Sequence, residues 1–480
     1  MKERVIFISC ICQTIHSDIN NCATERQNKA NQGAAKSRSE TYTQYVAATR
    51  RGSNKGLRNS VAQAKLGKIL CLWLLLPLWL LANDRILFDN VKLLATDGGN
   101  NQTVDVLIKG EVIWQIAPQI LSQTGDQTID GSGKDLTPSL IDSVTQLGLI
   151  ELGSDGNTND KELSAGDIRA RYNVEGAVNP YSSLIPIARL EGIGAVGIFP
   201  EGGVVSGSAI FYNLGNAPEK ARNIILNPAA VFARISAEEN DTRSKCIMAL
   251  RDLFSDAKRY QAHKSAIQDF PFLYPRLRSP EDYDMILKIL NQEIPLVVEV
   301  NRASDIAAAV QLSEDFGFKL ILAGAVESWK LAQTLGKKNI PVIISPMNNL
   351  PENFDQLNAR SDLAAILEKN SVPVIISTFD AHKVRQLRQL AGIAVREGLP
   401  YASALASITS APAKAFNLPK IGSIKVGFKA NLTLWDGDPL ELATKALQVF
   451  VNGKPMPMES RQTLLFKRYR QIDRSPYLQP

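Results

Sequence analysis

The chain has 480 residues, of which 45% are apolar and 21% are charged, so it is long enough to bury two hydrophobic cores. The net charge of +6 is uneven, because residues 1–68 carry twelve Lys and Arg against four Asp and Glu and leave the remainder slightly acidic. This distribution excludes a basic nucleic-acid-binding surface on the body, and we expect no nucleic-acid partner. Cys246 is the one cysteine after residue 83, so a disulfide framework within the body is also excluded.

The N-terminal part divides into a polar tail, residues 1–68, and the apolar run ILCLWLLLPLWLLA within residues 69–83. The run is short for a membrane-spanning helix and has the length of a signal-peptide core. No Met lies between Met1 and the run, so we hypothesise that the tail is not translated in full and that translation begins at a non-Met codon near Val61. We therefore predict an exported, periplasmic protein; the alternative is a tail that precedes a membrane anchor.

The two ends of the body, residues 84–139 and 418–460, share one pattern. In both, Val, Ile and Leu alternate with polar residues in short runs, which is typical of strands with one buried face. A hairpin turn is predicted at Gly110-Glu111. We predict that the two segments pair into one composite β-sandwich.

Residues 140–417 have a different pattern, in which short apolar runs alternate with segments of helical period. The predicted strands are Ile193–Phe199, Pro295–Val300, Lys319–Ala323, Pro341–Ser345 and Pro373–Ser377. Such alternation predicts βαβ units and a parallel sheet. By periodicity alone, a (β/α)8 barrel and a doubly wound open sheet fit equally well. The charged segment Lys220–Arg278 is expected to be largely helical.

The stretch Thr137–Glu151, TPSLIDSVTQLGLIE, resembles the first barrel strand of the amidohydrolase superfamily, whose signature is P-G-L-I-D-x-H-x-H-x-G. The matching residues are Pro138, Leu140, Ile141, Asp142 and Gly148. Residues 84–460 are similar to exported amidohydrolases related to imidazolonepropionase. The resemblance implies an α/β fold, in which a TIM-like (β/α)8 barrel spans residues 140–417 and both ends of the body build the β-sandwich.

The resemblance also implies a metal site of four histidines, an aspartate and often a modified lysine, which turns water into a nucleophile. This chain has three histidines, and His16 lies in the polar tail, so a four-histidine site is excluded. Six positions of the family's ligands carry other residues here, which we expect to meet at the C-terminal ends of the barrel strands: Val144, Gln146, Glu299, Asn301, Ala323 and Phe379. The sequence does not place the lysine. We expect no metal and no other cofactor.

Asp380 and His382 are further catalytic candidates, together with Glu299. On a strand, residues two apart share a face, so Asp380 and His382 would form an acid/base pair. If a helix begins here, Asp380 is an N-cap, which is the interpretation we favour. A one-residue shift would instead put Asp380 at the family's aspartate position. Gly202-Gly203 and Gly207 are a weak signal for an anion-binding loop.

Two functional hypotheses follow. The first is an amidohydrolase-like protein that has lost the usual metal site, a pseudoenzyme that binds a small molecule or a partner. The alternative is a hydrolase that acts on non-peptide C–N bonds of cyclic or acyl amides without the usual metals. The missing histidines favour the first hypothesis. A homo-oligomer, or pairing with an active paralogue, is compatible with it.

Overall fold

The computed structural model describes most of the body of the chain. The described residues are 84–96, 101–162, 168–216, 223–237, 242–269, 278–347, 351 and 353–470. All of them belong to the second of two compact units, Ala82–Pro480. The predicted polar tail and apolar run lie outside the described residues. Within the described part, no helix has both the length and the apolar character needed to span a membrane.

Strands from both ends of the body form one mixed eight-stranded sheet. Its strands are β1 (Arg85–Leu93), β2 (Gln102–Lys109), β3 (Val112–Ala117), β4 (Gln127–Asp130), β5 (Asp135–Pro138), β14 (Leu432–Trp435), β15 (Ala446–Val451) and β16 (Lys454–Pro455). The two ends join where β5 pairs antiparallel with β14, from Leu432 opposite Pro138 to Trp435 opposite Asp135. The sheet also folds over on itself, because the backbone N–H of Ile113 donates to the carbonyl of Phe428 at 2.9 Å.

The second sheet is the barrel. Its strands, in spatial order, are β6 (Leu140–Thr145), β7 (Ile193–Ile198), β8 (Val205–Asn213), β9 (Ile224–Arg234), β10 (Leu296–Val300), β11 (Leu320–Gly324), β12 (Val342–Ile344) and β13 (Val374–Ile376). Beyond the last strand, the N–H of Phe379 donates to the carbonyl of Val144 at 3.1 Å, which brings the two edges together. The predicted TIM-like barrel is therefore confirmed, and both ends of the body build one separate sheet where we predicted a small β-sandwich.

The barrel departs from a regular (β/α)8 pattern at β8, which runs antiparallel to both β7 and β9. The reason is the short connection after β7. Parallel neighbours need a crossover of a dozen or more residues, whereas Gly202 and Gly203, at φ 86° and 68°, turn the chain back directly. Gly202 and Gly203, which we considered for anion binding, thus serve a turn, whereas Gly207 of the same prediction lies within β8. The expectation of a largely helical Lys220–Arg278 is wrong for its first part, which is β9, with Pro228 interrupting the strand pattern.

Helices cover the outside of the barrel. They are α1 (Leu184–Leu190), α2 (Arg243–Ala262), α3 (Lys264–Asp269), α4 (Pro280–Leu290), α5 (Ala303–Phe316), α6 (Ala332–Lys337), α7 (Leu363–Lys369), α8 (Leu387–Arg396), α9 (Tyr401–Ser407), α10 (Ser410–Ala415) and α11 (Arg461–Arg470). One large apolar cluster lies between most of these helices and the strands. A second cluster fills the barrel interior, where Phe199 meets Phe232 and Phe416 edge to face. The barrel is therefore a packed core with its open face at the strand ends.

Candidate functional site

A cavity of about 280 Å³ opens at the carboxyl ends of β9 to β12. Its wall is built from the last residues of these strands and from the segment 353–364. The residues that line it include Arg234, Glu299, Asn301, Gly324, Ser345 and Phe379. Barrel proteins bind their ligands at this end because the loops there vary without disturbing the core. The cavity is therefore the candidate functional site.

An ion pair fixes the carboxylate of the cavity. Glu299 Oε2 accepts from Arg234 Nε at 2.8 Å and lies 2.7 Å from Arg234 Nη2. The pair follows from the strand register, in which Glu299 of β10 stands opposite Arg234 of β9. Such a charge-assisted contact is stronger than a neutral hydrogen bond. The one carboxylate among the six replaced ligand positions is thus already engaged by a cation.

An unpaired acceptor lies beside this ion pair. The Oδ1 atom of Asn301 is buried and accepts no hydrogen bond from any described group. Gly324 packs against it, and a Cβ atom added at this glycine would lie 2.8 Å from Oδ1. Gly324 also has φ 74°, in the left-handed region. Because a buried polar atom without a partner costs free energy, the Asn301 oxygen is a candidate contact for a ligand donor.

The remaining charges at the cavity are also paired. Arg243 contacts both Asp305 and Asp355, of which Asp355 lines the cavity. Arg360 donates to the two carboxylate oxygens of Asp362 at 2.8 and 2.7 Å. Every charged lining residue therefore has a partner of opposite sign. The cavity offers polar groups without a net excess of either charge.

The six positions that replace the family's ligands divide into two groups. Glu299, Asn301 and Phe379 line the cavity, whereas Val144 and Ala323 are buried in the barrel interior and Gln146 is buried elsewhere. The expected convergence is thus partial. The physical reason is that Val144 and Ala323 carry apolar side chains, which pack into the inner core instead of facing solvent. Phe379 packs against the same core.

Asp380 and His382 lie outside the cavity. Asp380 Oδ1 accepts from the backbone N–H groups of His382 at 2.6 Å and Lys383 at 3.0 Å, which is a capping arrangement. The two side chains do not form a close acid/base pair, since His382 Nδ1 is 3.9 Å from Asp380 Oδ1. His382 Nε2 instead lies 3.1 Å from the carbonyl oxygen of Glu151. Asp380 thus holds the turn before the short 3-10 helix Val384–Gln386, whose N-cap is Lys383, and is not itself the N-cap that we favoured.

Asp142 is a residue whose role sequence reasoning missed, although the motif contained it. Its side chain is fully buried and accepts from the hydroxyls of Ser377 and Thr378 and from the N–H of Thr378 at 3.1 Å. The carboxylate therefore joins the first barrel strand to the end of the last. Burial raises the pKa of Asp142 to about 7, although these hydrogen bonds act in the opposite direction. Two features of the sequence could have indicated this role. The motif places Asp142 near the end of the first barrel strand, and Ser377-Thr378 follow the last barrel strand.

The donor set does not fit the family's metal site. It has one carboxylate, Glu299, already paired, and two neutral amides, Gln146 and Asn301, which are poor zinc ligands. His263 is exposed after α2 and far in sequence from the strand ends. Among the residues that the structure describes, no three His, Cys, Asp or Glu side chains group as metal ligands.

Comparison with known proteins gives a family match for part of the chain. Residues 303–457 match the model of the amidohydrolase family. A curated relative, the amidohydrolase tasK of Hapsidospora irregularis, is 46% identical over 57 residues. That stretch is 12% of this chain and 6% of the relative, so the chain spans a small part of the relative's length. The resemblance seen in the sequence is confirmed.

Solved structures give the fold. An amidohydrolase from Thermotoga maritima MSB8 has a TM-score of 0.71 and 22% identity, and the match covers 78% of this chain and 99% of that one. An uncharacterized protein has a TM-score of 0.50 and 13% identity, with 78% and 100% covered. At these identities the likeness establishes the architecture and leaves the reaction to be argued from the site.

Proposed function

We propose that this chain, whose residues 303–457 match the amidohydrolase family and whose body has the amidohydrolase fold, binds a small polar molecule without hydrolysing it. The observation that carries the proposal is the ion pair between Arg234 and Glu299. Position 299, which matches a metal-ligand position of the family, carries a carboxylate that is paired with the guanidinium of Arg234. The other five positions supply amides, alkyl groups and a phenyl ring.

The cavity suits a small ligand that is polar and has no net charge. Its volume of about 280 Å³ is near the lower end for ligand pockets. Asn301 offers an acceptor, and Ser345 offers a hydroxyl. A ligand with an N–H or O–H group would satisfy the Asn301 oxygen. A charged ligand would have to displace one of the ion pairs that already line the wall.

Hydrolysis would require an activated nucleophile, and these residues do not activate one. Unactivated water has a pKa of ~15.7 and attacks amides slowly at neutral pH. Glu299 is the one family position with a group able to take a proton from water. Its Oε2 atom is held by two nitrogens of Arg234, so a water molecule would compete with a cation for that oxygen. The side chains at the cavity thus favour binding over turnover.

The alternative remains a hydrolase of non-peptide C–N bonds in cyclic or acyl amides. The family match and the fold favour it, because they are those of hydrolases. In that case Glu299 would serve as general base after Arg234 moves away. General bases contribute about 10²–10⁴-fold to rate. Replacing Arg234 by Met would then raise the rate, because it frees the carboxylate.

One experiment separates the two functions. The full chain is mixed with a panel of cyclic and N-acyl amides, and saturation-transfer NMR detects binding while the same spectra follow hydrolysis. Asn301→Leu, which keeps the volume and removes the acceptor, should weaken binding by about 2–10-fold. Asn291→Leu, on an exposed turn after α4, is the matched control. Binding without product supports the proposal, and product formation by the wild-type chain overturns it.

A further inference from the structure

The last helix, α11, has the sequence RQTLLFKRYR and no buried residue. Its apolar side chains face solvent: Leu464 is 51% exposed, Leu465 41%, Phe466 62% and Tyr469 55%. Scattered single apolar residues on a surface are ordinary, whereas four within six positions form a patch. The patch is a feature that neither the cavity nor the fold explains.

The stability of such a short and exposed helix depends on a surface that packs against its apolar side chains. Isolated helices shorter than about 12–15 residues are marginal in water, and most helical stability in proteins comes from packing of an apolar face. This helix has ten residues, and none of them is buried within the described chain. Its first turn is held by Ser460, whose carbonyl accepts from Leu464 and whose hydroxyl accepts from Thr463. Such a cap fixes where the helix begins and leaves its apolar side open.

The charge of the helix indicates the chemistry of the covering surface. Arg461, Lys467, Arg468 and Arg470 are basic, and residues 461–470 contain no acidic residue. Lys467 is paired with Glu459 at 2.5 Å, just before the helix. The guanidinium of Arg468 lies 5.6 Å from the ring of Tyr469, and that of Arg470 lies 5.6 Å from the ring of Phe466. Cations therefore border the aromatic rings directly.

The arrangement along the helix gathers three of the apolar side chains on one side, with arginines at its border. Leu465 and Tyr469 are four residues apart, and Phe466 and Tyr469 are three apart, so these three side chains are neighbours on the helix surface. Arg470 follows Phe466 by four residues and lies at the edge of this group. Aromatic rings with arginines at their border suit the interface between lipid head groups and acyl chains. An apolar protein surface would need no such excess of positive charge.

We propose that α11 binds the surface of an anionic lipid bilayer, with Leu465, Phe466 and Tyr469 at the level of the head groups and the arginines on lipid phosphates. This is independent of the cavity and its ligand. Each Lys or Arg near an anionic surface strengthens binding about fivefold. The attraction is screened by salt, so binding should weaken as ionic strength rises.

The test uses the full chain and vesicles of phosphatidylcholine with and without phosphatidylglycerol, with bound protein measured by flotation. The apolar run and the basic tail before residue 84 are also expected to bind lipid, so the comparison is between variants of the same full chain. Arg468→Gln with Arg470→Gln should weaken binding to the anionic vesicles about 25-fold. The matched control removes two exposed charges elsewhere, Lys337→Gln with Lys369→Gln, and should leave binding unchanged.

A second variant, Leu465→Ser with Phe466→Ser, tests the apolar part and should also weaken binding to the anionic vesicles. Since both residues are exposed, the fold of the body should be unaffected, which circular dichroism checks. The proposal is overturned if the arginine pair and the control pair have equal effects. It is also overturned if the α11 variants leave vesicle binding intact and change the oligomeric state by light scattering, because the occupant is then a second copy of the chain.

Discussion

Replacing Asp142 by Asn should remove a large part of the pH dependence of stability. The carboxyl is fully buried, and burial raises its pKa from 3.8 to about 7. A group that binds its proton more tightly in the folded state stabilises the protein below its unfolded pKa, and this contribution is lost as pH rises through the folded pKa. For Asp142 the loss falls between pH values of about 4 and 7. A tenfold change in proton affinity corresponds to about 1.4 kcal/mol, so the loss amounts to ~4 kcal/mol.

The contacts of Asp142 explain why Asn is the informative substitution. The amide oxygen can accept from Ser377 Oγ and from the N–H of Thr378, as Oδ1 does now. The amide nitrogen would face Thr378 Oγ1, which can accept from it and donate its own hydrogen bond to the carbonyl oxygen of Asp380, 3.3 Å away. The hydrogen bonds are therefore kept while the buried charge is removed.

The assay is urea-induced unfolding of the full chain, followed by tryptophan fluorescence between pH 4 and 8. We expect Asp142→Asn to match the wild type near pH 4 and to exceed its stability by up to ~4 kcal/mol at pH 8. Asp142→Leu should be less stable than Asp142→Asn at every pH, because the buried N–H of Thr378 loses its acceptor. A difference between wild type and Asp142→Asn that is constant over this pH range would refute the reasoning.

Two further substitutions test the site and its support. Gly324→Ala should lower the free energy of unfolding by roughly 1–2 kcal/mol, since it adds a Cβ atom at φ 74° and only 2.8 Å from Asn301 Oδ1. Gly317→Ala is the control, because Gly317 has a similar φ of 78° but open space around it. The difference between the two variants separates the cost of the clash from the cost of backbone strain. Arg388→Met should lower the free energy of unfolding by about 3–5 kcal/mol, because Arg388 is buried and binds both the Glu191 carboxylate and the carbonyl oxygen of Glu441. Equal urea midpoints for the variant and the wild type would contradict this.

The sequence located the strands that carry their own local signal. The predicted Pro295–Val300 differs from β10 by one residue at its start, and Lys319–Ala323 is shifted from β11 by one residue at both ends. It did not locate β8 and β9, which hold Gly207 and Pro228 inside their runs. Glycine and proline weaken a strand pattern, and the pairing of β8 with its neighbours depends on long-range register that periodicity does not contain.

The candidate site was predictable in its residues and unpredictable in its pairing. Glu299 was identified as the remaining carboxylate, but nothing local indicates that Arg234, 65 residues earlier, stands opposite it. Their contact follows from the register of two strands on neighbouring positions of the barrel. A sequence gives the chemistry available at strand ends, whereas the partner of each group is set by the order of the strands.

The two sides of the barrel's open face are held in different ways. On the side of β6 and β13, Val144 is buried and Phe379 packs against the inner core, so apolar packing closes this side. Asp142 then holds these strands together from below. On the side of β9 to β12, ion pairs hold the wall of a cavity that stays open. Histidines placed at positions 144 and 146 would therefore replace buried side chains, and a metal site at these positions would require a rearrangement around Phe379, which packs against the same core as Val144.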